Sequence, residues 1–137
     1  MTGLSAVRTR ISAKVTLDDI VEAIIFKANL PVFPKSCAFF QQAFFRIQQA
    51  QPRLLDDFVF DESGLTPYSD ELDAILFRLE ASEVLHTLNP SYEDYHVHDL
   101  DALACAYDRL AEERAAIDAG AELFVTLANA DASQHGQ

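Results

Sequence analysis

Three histidines close together in the chain, His86, His96 and His98, are the residues best suited to chemistry, because neutral imidazoles bind divalent metals and change charge near neutral pH. If this stretch forms a hairpin, alternation places His96 and His98 on one strand face, where an H-x-H pair can chelate. Asp94 or Asp99 would supply a third ligand. Neither a flanking cysteine nor a second His-x-x-His spacing accompanies them. The expectation is therefore ordinary surface histidines, with no metal and no cofactor. Nucleophilic chemistry would have to start from Ser69, Cys37 or Cys105. The glycines, Gly3, Gly64, Gly120 and Gly136, are scattered and form neither a nucleophile elbow nor a phosphate-cradling loop. Capping of a helix explains Ser69. The paired acids Asp18-Asp19, Asp56-Asp57 and Asp70-Glu71 read as helix starts or solvated charge rather than as general acid and base. The expectation is a protein that is not an enzyme.

The elements that would carry these residues follow from caps, breakers and apolar period. Residues 1–15 lack an apolar period and read as a basic arm with Arg8, Arg10 and Lys14. Thr16, followed by Asp18 and Asp19, caps a first helix from Leu17 to about Asn29. Pro31 and Pro34 break it and leave an extended connector. A second helix starts at Pro34 or Ser36, carries Cys37, Phe40, Phe44 and Ile47 on one face, and ends before Pro52. The aromatic residues around it read as core. Phe58-Val59-Phe60 fits a brief strand. Ser69 caps a third helix that buries Leu72, Ile75, Leu76 and Leu79. Val84–Leu88 and Tyr92–Val97 flank the turn Asn89-Pro90-Ser91 as a hairpin. Asp99 opens one last helix, and residues 129–137 read as a polar tail.

The whole is a single domain over residues 16–128, mainly α with a small β-hairpin. With 50% hydrophobic residues and 10% aromatic, the chain has material for a packed core. Its apolar runs are too short for a membrane-spanning helix, and Met1–Lys14 has no apolar core of a signal peptide, so the cytoplasm is the expected compartment. Cys37 and Cys105 are expected to be free and buried. The net charge of −12 is concentrated. Between Leu54 and Asp101 Arg78 is the sole base among thirteen acids, and that stretch carries the whole imbalance.

Tyr68-Ser69-Asp70-Glu71-Leu72 opening the third helix, Leu76 and Leu79 within it, and Val84-Leu85 leading to the Asn89-Pro90 turn resemble the winged helix-turn-helix core of bacterial regulators. The pattern is also similar to small prokaryotic antitoxin-like and adaptor domains that use this core to hold a protein. The resemblance covers Leu17 to Val97 and implies a winged-helix-like core plus a C-terminal helix. A DNA-binding member would present basic or amide side chains on its third helix. Here Asp70, Glu71, Asp73 and Glu80 surround Arg78, so phosphates would be repelled and nucleic acid is not expected there. Two roles remain: a regulatory or interaction module whose acidic residues Asp70, Glu71, Asp73, Arg78 and Glu80 meet a basic protein partner, or a DNA-binding regulator that uses its basic arm. The stripe Leu103, Tyr107, Leu110 and Ile117 of the last helix is expected to pair with its copy in a homodimer.

Overall fold

The computed structural model describes residues 16–87 and 94–135, with the side chains of 132–135 excepted. The basic arm and the Asn89-Pro90 turn lie outside the described residues. Helix α1 spans Leu17–Ala28. Its start is a reciprocal capping box: the Asp19 amide donates to Thr16 Oγ1 and the Thr16 amide to the Asp19 carboxylate, both at 3.2 Å. Asn29 ends it in the left-handed region at φ 53°, where asparagine is tolerated. Helices α2 (Cys37–Ala50), α3 (Asp70–Ala81) and α4 (Leu100–Arg109) are capped by Ser36, Ser69 and Asp99, each accepting from the amide three residues on.

The hairpin forms, with β2 (Leu85–Thr87) antiparallel to β3 (Asp94–Val97), and it gains a partner. The Leu30–Pro34 connector contains β1, Phe33–Pro34, which pairs antiparallel with β3 to give the order β1-β3-β2. Proline is acceptable there because β1 is an edge strand, and Phe33 is buried by the pairing. Phe58-Val59-Phe60, in contrast, is not a strand. The pairing in that region is the isolated bridge between Asp61 and Tyr68, which closes the loop around the Asp61–Gly64 turn.

The expected last helix is two helices. After α4 the chain turns through a short 3-10 segment, Ala111–Glu113, and continues as α5, Arg114–His135, so residues 129–135 are helical and not a polar tail. Arg114 holds the break. Its guanidinium lies 4.1 Å from the Tyr107 ring centre and donates to the Tyr107 carbonyl, which also accepts from the Leu110 amide where α4 ends.

That break lets α4 and α5 both fold against α1. The proposed pairing stripe is consumed in the process. Leu103, Leu110 and Ile117 are buried within the monomer, and Tyr107 packs on Phe26 while its hydroxyl donates to Asp118. They belong to the core and are not a dimer face. The aromatic side chains Phe39, Phe40 and Phe44 of α2 are core as expected: the Phe124 ring of α5 sits among them and Phe33, with centres 5.4–5.9 Å apart. Cys37 and Cys105 are free but exposed, since both lie on the solvent side of their helices. Among the described residues no helix is long and apolar enough to cross a membrane.

Candidate functional site

Helix α3 is fixed by its N-cap residue. Ser69 is fully buried, and the Gln41 side chain of α2, also buried, pairs with its backbone twice: the Ser69 amide donates to Gln41 Oε1 at 2.7 Å, and Gln41 Nε2 donates to the Ser69 carbonyl at 3.1 Å. Two turns further along α2, Gln48 Nε2 donates to the carbonyls of Leu55 and Phe58. These two amides anchor the irregular segment between α2 and α3. Unpaired, the buried Gln41 amide would cost about 1–3 kcal/mol, so its pairing with Ser69 specifies where α3 begins.

The face that α3 turns to solvent contains part of the expected acidic set. Asp70 and Asp73 are exposed there. Glu71 is also exposed, but its carboxylate accepts from the Ser69 hydroxyl at 2.8 Å, a bond that holds it below the usual carboxylate range. Arg78 and Glu80 face their own protein. Arg78 makes a two-pronged ion pair with Asp18 of α1 at 2.8 and 2.9 Å. Glu80 accepts from the Tyr95 hydroxyl of β3 at 3.0 Å and lies 3.6 Å from Lys35. Desolvation, followed by Glu80, keeps the Tyr95 hydroxyl protonated well beyond the ordinary phenol range.

Sequence reasoning passed over Phe77. It is 73% exposed and lies on the same helix face as Asp70, Asp73 and Ala74, all of them exposed. The signal was available, because Phe77 falls opposite the buried stripe of Leu72, Ile75, Leu76 and Leu79 on a 3.6-residue period. Around Asp73, Tyr68 is also exposed, and its hydroxyl is raised by desolvation first and then by the Asp73 charge. Desolvation and Asp73 likewise push the nearby Cys37 thiol up, the wrong direction for a nucleophile.

The histidines occupy the solvent face of the sheet. His86 lies opposite His96 in the register, and His98 follows on the same face, while Leu85 and Tyr95 point into the core. The His86 and His98 rings stack at 3.9 Å with 13° between planes, and the His86 and His96 centres are 5.7 Å apart. Glu83, just after α3, brings Oε1 to 3.8 Å from His86 Nε2. The H-x-H pair His96 and His98 with Asp94 or Asp99, weighed from the spacing and set aside for ordinary surface histidines, is not the set that converges; Glu83, His86 and His98 are. No protein-family model, curated protein or solved structure matches the chain.

Proposed function

We propose that this protein is a non-enzymatic interaction or regulatory module of the cytoplasm, built on a winged-helix-like core, whose α3 face docks a protein with a basic surface. The observation that carries the reading is an exposed phenylalanine in an acidic setting. Covering Phe77 would contribute about 1.5–3 kcal/mol, and aromatic anchors surrounded by polar residues are where binding energy concentrates at interfaces. Asp70 and Asp73 then select a basic rim by charge complementarity, which also raises the association rate. The winged-helix part of the reading is supported by element order: a strand between the first two helices joins the hairpin that follows the third, through the returning strand.

Affinity capture from the native cell, run in parallel with wild type, Phe77→Ser and the Asp70→Lys/Asp73→Lys double variant, tests this. The expected outcome is a basic partner held by wild type and lost from both variants, each variant keeping its circular dichroism and melting temperature. With that partner purified, Phe77→Ser should weaken affinity by roughly 30-fold, the effect of losing a central aromatic anchor. Equal retention by all three proteins, or salt-sensitive binding of random duplex DNA in place of a protein, would overturn the reading.

A further inference from the structure

We propose that Glu83, His86 and His98 form a binding site for a divalent transition metal such as Zn2+, at the open end of the β2–β3 hairpin. One ligand atom from each residue lies within 4.8 Å of the others. A tetrahedral ion with bonds of 2.0–2.2 Å would hold such atoms about 3.4 Å apart, so closure needs a contraction of roughly an ångström. Side chains can supply that movement. Glu83 and His98 are exposed and His86 is half-buried, so all three can change rotamer without disturbing the core.

The backbone already fixes the frame. Val84 is buried between the ligands, its amide donating to the Leu79 carbonyl and its carbonyl accepting from the His98 amide at 2.8 Å. His86 is set by the ladder with β3. Glu83 sits at φ 67°, a conformation that glycine would adopt without strain. Glutamate there brings a carboxylate beside two imidazoles. Two imidazole nitrogens and a carboxylate oxygen suit zinc and its first-row neighbours and do not suit magnesium or calcium, which take all-oxygen shells. Three protein ligands leave a fourth position open, and His96 is the next imidazole on that face.

The test uses the full chain stripped with EDTA and titrated with Co2+ by visible absorption and with Zn2+ by calorimetry. The expected result is saturation at one metal per chain, with the ligand-field bands of a tetrahedral Co2+ complex. Removing groups that merely orient a ligand costs about 10–100-fold, so His86→Ala, His98→Ala and Glu83→Gln should each cost at least tenfold. His135→Gln serves as the control and should bind like wild type. Circular dichroism checks the fold of each variant, and the two exposed positions, Glu83 and His98, suffice if His86→Ala fails to fold. Binding without saturation at one equivalent, or affinity unchanged by loss of His98 and Glu83, would assign the metal to the acidic surface and overturn the site.

Discussion

Glu22 shows how a single carboxylate makes this protein sensitive to pH. It lies half-buried on α1 and faces α4, where Arg109 is paired with the buried Asp19. Burial, followed by the charges of Asp19 and Asp18, pushes Glu22 up to about 7 from its ordinary 4.5, with Arg109 opposing the rise. Because the folded value is the higher one, the folded state holds the extra proton between the two. The stabilisation is complete below pH 4.5 and is lost as pH rises through 7. Glu22→Gln removes the cost of ionisation. It should raise stability at pH 8 by about 1 kcal/mol after discounting for solvent screening, or roughly 3–5 °C in melting temperature, and should change little at pH 4.5. Equal gains at the two pH values in thermal melts would show that the charge is not the cause.

Among the elements, α5 crosses α1 and α2 closely at Gly120. Gly120 is buried there, and a Cβ at this position would stand 3.1 Å from Ile47 Cγ2 and 3.6 Å from Ile24 Cδ1. The glycine does not end the helix; it lets the helices approach. Gly120→Val should cost about 1–3 kcal/mol through overpacking in denaturant titrations, while Gly120→Ala, which offsets a smaller overlap with better helix propensity, should stay within about 1 kcal/mol of wild type. If valine were tolerated as well as alanine, the close approach would have no energetic weight. The helices α1, α2 and α3 were legible because Thr16, Ser36 and Ser69 announce their starts, and Pro31 and Pro52 lie just past the ends of α1 and α2. The end of α4 carries no such mark, since Leu110 and Ile117 continue an apolar spacing that only the stacking of Arg114 on Tyr107 interrupts. Strand β1 was hidden by Pro34 within it and Pro31 just before it, because a two-residue edge strand is made by its partner β3 and not by its own propensity. For the candidate interface the sequence showed the charges of Asp70 and Asp73 but not which neighbours would be used inside the fold. Arg78 and Glu80 were lost to contacts with Asp18 and Tyr95 that lie 60 and 15 residues away.

On the scale of the molecule, the core is assembled from segments far apart in the chain. Asp19 meets Arg109 across 90 residues, β1 pairs with β3, and Phe124 fills the space between α2 and the sheet. Removing one such ring costs about 3–5 kcal/mol, and α5 also contributes Ile117, Ala121 and Ala128 to the core. Against a typical total stability of about 5–15 kcal/mol, the preceding helices have little left without it. Synthesis therefore sets the order of events. While α5 is still inside the ribosomal tunnel, Phe33, Phe39, Phe40 and Phe44 lack the Phe124 ring on which they pack, and N-terminal-first folding is expected to fail. Nascent chains stalled with Glu113 just outside the tunnel should be cut rapidly by protease and bind chaperones. Chains stalled with Ala128 fully emerged should resist, and protection already present at the earlier point would show that α1 to α4 fold without their C-terminal partner.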